Sequence, residues 1–225
     1  MIKATLAASA IAVLAMGSAA SADTVTLSFT VPGDAFGSNG SASVNVIDTN
    51  GPDYNGTGGA FDLTSTLADQ FDLFCVQLNQ NLVNPTTYTT STTLGVANPT
   101  AQTNLERLFE TSFSTLDLMD DVQSAGFQLA VWEIVYETSS SLSLFGGDFF
   151  SNNPNTPGSA AEFGQGLLAI VLGPASITQN YEVTYFLSES GQDLVGVSPI
   201  PLPAAGLLLL AALGGLGLAR RRKTV

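Results

Sequence analysis

Apolar and polar residues alternate along 24–31 (TVTLSFTV), the pattern of a strand with one buried face, and Pro32, Gly33 and Asp34 end it. The same two-residue period returns over 41–47, with Ala42, Val44 and Val46 on one side. Residues 48–59 (DTNGPDYNGTGG) are turn formers throughout and predict a long exposed loop. The run 71–78 (FDLFCVQL) suits a strand, and the Thr-rich 85–93 suits extended chain because β-branched side chains favour strands. Residues 181–187 (YEVTYFL) predict a further strand, and 193–197 a last one.

Helical spacing takes over in three places. Asn98, Pro99 and Thr100 open a helix over 101–113, whose stripe is Leu105, Leu108 and Phe109; Glu106, Arg107 and Glu110 read as a surface pairing. Residues 120–137 (DDVQSAGFQLAVWEIVYE) are apolar nearly all round, so this helix is expected to be buried. Asp120 and Asp121 favour its start, and Gly126 marks close packing or a bend. Ser159 to Glu162 fits a capping box for a third helix that stops at Gly173 and Pro174. Between them, 139–158 reads as loop, with Phe145, Phe149 and Phe150 as anchors or exposed contacts. Short strands around three helices predict an α+β domain: a β-rich sandwich or open barrel with a helical insertion.

The two ends have a different character. Lys3, an apolar run over 6–16, and Ala20, Ser21 and Ala22 before Asp23 form a secretory signal peptide over 1–22. At the other end, residues 204–219 are all Ala, Leu or Gly, and Arg220, Arg221, Arg222 and Lys223 follow. Counted from Ile200 the apolar run is 20 residues, roughly 30 Å as a helix, enough to cross a bilayer with the basic cluster held on the cytoplasmic side. Ile200, Pro201, Leu202, Pro203 and Ala204, followed by that helix and the Arg run, resemble the VPLPA variant of PEP-CTERM sorting signals, with Ile200 where Val is usual. The resemblance implies transient membrane insertion, processing near the Pro motif by an exosortase-like membrane protease, and release to the envelope, cell surface or extracellular matrix. A plain C-terminal membrane anchor is the other reading of the same segment. Residues 23–198 between these ends suit one domain with a real core, so the chain divides into 1–22, 23–198 and 199–225.

Trimming the ends changes the charge picture. Five of the six basic residues lie in them, which leaves Arg107 against all 19 acidic residues. Such a surface repels phosphate backbones and excludes nucleic acid as a partner. The chain contains no His, which removes His-dependent catalysis and the usual zinc ligands. Asp48, Asn50 and Asp53 lack the spacing of an EF-hand loop, so neither a metal nor a cofactor is expected. The acidic pairs Asp120/Asp121 and Glu133/Glu137 read as capping or solvated groups rather than a glycosidase dyad, and the chain reads as a non-enzyme.

One Cys in an exported chain forms no internal disulfide, so Cys75 is buried, paired between chains, or reactive. Two segments bear on that choice: Phe74-Cys75-Val76, and Phe127-Gln128-Leu129-Ala130-Val131-Trp132. They resemble the two half-motifs of the thioester domains of Gram-positive surface adhesins, an aromatic–Cys element and a hydrophobic–Gln–x–x–hydrophobic–aromatic element. Carried over, Cys75 supplies the sulfur and Gln128 the acyl carbon of a bond reactive toward an amine or hydroxyl on a surface or matrix ligand. Trp132, four residues on, shares a helix face with Gln128, and Tyr136 extends it; both are candidate shields against water. The alternatives stay open: Cys75 and Gln128 as plain core, or a carbohydrate- or matrix-binding module that uses exposed aromatics such as Tyr54 or Phe149 without forming a bond.

Overall fold

A computed structural model of the protein describes residues 23–67, 69–94, 99–174 and 180–199. Six strands form one barrel: β1 (Thr24–Phe29), β4 (Phe61–Ser65), β5 (Gln70–Cys75), β6 (Thr86–Ser91), β8 (Tyr181–Leu187) and β9 (Leu194–Pro199). They run in the order β1-β4-β5-β9-β8-β6 with every neighbour antiparallel. The barrel is closed, where the sequence suggested an open one or a sandwich. Closure comes from β1, whose Leu27 pairs with Ser65 on one side and Thr86 on the other, so the sheet has no free edge. Phe186 meets Phe71 edge-on at 5.7 Å and Tyr88 at 6.3 Å, tying β5, β6 and β8 together.

A second sheet, in the order β3-β2-β7, is made of β2 (Ser41–Asp48), β3 (Tyr54–Gly59) and β7 (Phe149–Ser151). Here the sequence reading is corrected twice. The predicted 48–59 loop is a loop only in its first half, because Tyr54 to Gly59 pairs residue by residue with β2. Its glycines are required by close approach: a Cβ on Gly59 would lie 2.6 Å from the Gly40 carbonyl, and one on Gly58 3.1 Å from Val44. The predicted 139–158 loop contains β7, and Phe149 within it is fully buried.

Three helices complete the domain: α1 (Pro99–Ser112), α2 (Asp121–Tyr136) and α3 (Ala160–Leu172). Asp120 caps α2 by accepting from the Val122 and Gln123 N–H groups, and Ser159 caps α3 by accepting from Glu162 N–H. Glu162 in turn accepts from Gly158 rather than closing a reciprocal box on Ser159. Arg107 donates to the carbonyls of Val171 and Gly173 at the end of α3, where carbonyls lack helical partners and a cation is favoured.

α2 is the central element, in contact with β2, β3, β5, β7 and both other helices. It is buried from Ser124 to Ile134, as its all-round apolar pattern predicts. Gly126 serves close packing: a Cβ there would sit 2.8 Å from the Ala160 carbonyl, and one on Gly164 2.6 Å from the Gly126 carbonyl. Phe127 joins Phe74, Phe109 and Phe113 in an aromatic cluster that binds α1 and α2 to β5. Among the described residues no helix is long and apolar enough to cross a membrane. The signal peptide over 1–22, the sorting residues Ile200 to Ala204 and the basic residues Arg220 to Lys223 lie outside the described residues.

Candidate functional site

Cys75 is the last residue of β5, and its place in the ladder explains what happens there. β4 pairs with β5 only as far as Phe61↔Leu73, so beyond it the β4 side of β5 has no strand partner. The N–H and C=O of Cys75 both need one. Gln128 of α2 supplies it: the Cys75 N–H donates to Gln128 Oε1 at 2.8 Å, and Gln128 Nε2 donates to the Cys75 carbonyl at 2.8 Å. The carboxamide thus stands in for one residue of a missing strand. The Cys75 thiol donates to the Gln77 carbonyl at 2.6 Å.

Both side chains line one cavity of 250 Å³, together with Trp132, Tyr54, Gly58 and Gln192. Cys75, Gln128 and Trp132 are only 2%, 1% and 2% exposed, so water reaches the pair poorly. Gly58 and Gly59 let β3 lie close to α2; a Cβ on Gly58 would touch Gln128 Cγ at 3.6 Å. Ser124, one turn before Gln128, accepts from Ala60 N–H at 2.8 Å and holds the β3–β4 junction to the helix. Tyr54 packs edge-on against Trp132 at 5.2 Å and gives its hydroxyl proton to the Thr57 carbonyl. Gln192 donates to the carbonyls of Gln77 and Gln80, and Gln77 donates to Asp193 Oδ2, fixing the strand exit beside the thiol.

Burial is the dominant influence on the Cys75 thiol and pushes it well above its ordinary value. The Trp132 indole N–H and the Gln77 backbone pull the other way, and Asp193 adds an upward push. The resting group is therefore a neutral thiol. The Trp132 N–H faces the thiol without reaching full hydrogen-bond geometry.

The structure brings Cys75, Gln128 and Trp132 together. Tyr136 lies one turn further on and is engaged elsewhere. Its hydroxyl accepts from Leu78 N–H at 2.9 Å, and its ring stacks on Phe149 at 5.8 Å. Tyr54 and Phe149 are not exposed loop aromatics, since the first packs on Trp132 and the second is 0% exposed. Glu133 and Glu137 are buried rather than solvated. Asp121 accepts from Ser41 N–H and ties the start of β2 to α2, and Asp48 accepts from Asn50 N–H within a turn. Gln77, Ser124 and Gln192 belong to the site without any motif that announces them. Only the paired glycines at 58 and 59 carry a signal of close approach, and turn propensity masks it. A second cavity of 360 Å³, between the barrel strands and lined by Val25, Phe71, Leu73 and Phe186, shares no residue with the Cys75 cavity and contains no thiol.

No family model matches the chain, and no curated protein matches it in sequence. Among solved structures, the chain is similar to the N-terminal domain of the Streptococcus pyogenes pilus tip adhesin Cpa. The identity is 14% and the TM-score 0.44, over 73% of this chain and 95% of that one.

Proposed function

We propose that this protein is exported to the cell surface or extracellular matrix and forms an internal thioester between Cys75 and Gln128, through which it attaches covalently to a ligand amine or hydroxyl. The observation that carries this reading is that Cys75's own peptide group grips the Gln128 carboxamide at both ends, and both residues line one cavity. The N–H at 2.8 Å from Oε1 polarises the carbonyl and would hold the oxyanion formed on attack. Attack by sulfur makes the C–S bond, breaks the C–N bond, and sends the thiol proton out with ammonia. An amine later attacks the same carbon, and the C–S bond breaks to return a thiol. Burial of Cys75, Gln128 and Trp132 slows competing hydrolysis. Export and delivery rest on the signal peptide pattern and on the tail motif, handled by an exosortase-like membrane protease.

Intact mass tests the bond. The full chain should weigh about 17 Da less than its sequence requires, the mass of one ammonia, and Cys75→Ala should abolish the deficit. A protein of full mass with a titratable thiol overturns the reading. That result would favour the second one, in which Cys75 is plain core and Gln128 a buried amide with its two backbone bonds satisfied. For the tail, mass spectrometry of the surface form should find it processed near Pro201 and Pro203; intact Arg220 to Lys223 on the mature protein would remove the sorting proposal.

A further inference from the structure

Trp132 presents a different kind of observation from Cys75 and Gln128. Its indole nitrogen is a donor only, it is buried in the lining of the Cys75 cavity, and no acceptor among the described residues meets it in full hydrogen-bond geometry, although it lies near enough to the Cys75 thiol to pull its value down. A buried N–H without a partner is costly and rare, and one beside a nucleophile suggests an acceptor that appears during the reaction. Three other donors on the cavity wall are occupied. Tyr54 gives its proton to Thr57, Gln192 gives its amide protons to Gln77 and Gln80, and the Cys75 N–H is on the Gln128 oxygen. Trp132 lies one helical turn from Gln128 on the same face, and Tyr54 fixes its ring at 5.2 Å.

We propose that the Trp132 indole N–H is the hydrogen-bond donor that stabilises negative charge on the Cys75 sulfur. Two donors then serve two atoms: the Cys75 N–H holds the acyl oxygen, and Trp132 holds the sulfur. During formation the thiol proton passes to the amide nitrogen as the C–S bond forms, so negative charge develops on sulfur only briefly and ammonia departs with that proton. During opening the C–S electron pair returns to sulfur, Trp132 holds that thiolate, and the proton lost by the incoming amine converts it to a thiol. No oxidant or further reactant is required. The influence of Trp132 on the thiol, opposite to that of burial, agrees with this placement. The catalytic consequence rests on the thioester reading; the contact between indole and sulfur does not.

The test compares three full-length chains: wild type, Trp132→Phe, and a chain with benzothienylalanine at position 132, which keeps the bicyclic shape and lacks the N–H. Each is treated with methylamine to open any thioester, then with a small alkylating reagent across a range of pH. Thermal melting monitors the fold. Loss of a hydrogen bond to a charged group should slow alkylation at neutral pH by about tenfold in both variants and move the pH profile upward. Methylamine opening of the thioester should slow by a similar factor. Wild-type or faster alkylation in the benzothienyl chain overturns the inference, even if Trp132→Phe is impaired, because the effect would then belong to shape. If no thioester exists, methylamine does nothing and the alkylation comparison still decides the indole contact, so the two proposals fail separately.

Discussion

α2 buries polar groups on two faces, and they are treated differently. Toward β3 and β5 it presents Ser124, Gln128 and Trp132, each four residues from the next. Toward α3 and the 138–149 segment it presents Gly126, Glu133 and Glu137. On the first face Gln128 has both ends of its amide bonded to a strand terminus that has lost its neighbour. On the second, Glu133 accepts one bond from Ser143 N–H and leaves its other oxygen with no partner. Burial therefore raises Glu133 to about 8, opposed by that one N–H and reinforced by Glu137. Glu137 shows as little surface but lies less deep in the protein, and N–H groups of Ser139, Asp148 and Phe149, with the Ser139 hydroxyl, outweigh its burial and lower its value. The difference is one of depth and of supply. A buried polar group keeps its solution chemistry only where the local backbone offers enough partners.

The largest test of that contrast removes the satisfied group. Gln128→Ala orphans the Cys75 N–H and C=O in the core, and urea unfolding should show a loss of about 4 kcal/mol. A loss under about 1 kcal/mol would mean that the amide does not act as a strand surrogate. The second test uses the unsatisfied group. In the unfolded chain Glu133 releases its proton near the ordinary 4.5, whereas the fold holds it to about 8. The native state thus binds the extra proton across that window, and stability falls as pH rises from 4.5 to about 8. Glu133's contribution is complete below the lower value and gone above the upper. Glu133→Gln should flatten this fall, making the variant more stable than wild type at alkaline pH by on the order of 3 kcal/mol. Identical pH profiles would show that Glu133 titrates normally.

Two smaller changes sharpen the boundary between the faces. Gly164→Ala drives a methyl toward the Gly126 carbonyl and should cost about 2 kcal/mol, read from the denaturation midpoint. It should leave thiol reactivity unchanged, since only the α3 face is disturbed. Ser124→Ala removes the acceptor for Ala60 N–H and should cost about 1 kcal/mol. Unlike the glycine change, it should speed alkylation of Cys75 slightly, because it loosens β3 over the cavity. A reversal of those two effects would show that the faces are coupled.

Legibility in the sequence followed the range of the interactions. The three helices and the strands at 24–29, 41–48, 86–91 and 181–187 were readable because period, caps and stop residues are local signals. β3 was not, since its Asn and Gly residues carry turn propensity, and only the fit of Gly58 and Gly59 against Val44, Gly40 and Ser124 makes them a strand. β4 gave no signal in FDLTS, where Asp62 looks like a breaker. In the fold that aspartate is buried and accepts from Thr30 and Gln70 side chains.

Residue identity alone limits which atoms can react, because one Cys and no His leave little other nucleophilic chemistry. Helical spacing alone makes Gln128 and Trp132 neighbours on one face. That β5 outruns β4 at Cys75, so that its unpaired peptide group seizes the Gln128 amide 53 positions away, emerges only when the barrel closes. The same holds for the spare donor on Trp132 and for the commitment of Tyr136 to Leu78. The physical reason is that a side chain's identity is written locally. Its unmet hydrogen bonds depend on which strand ends first, and strand pairing is settled across the whole chain.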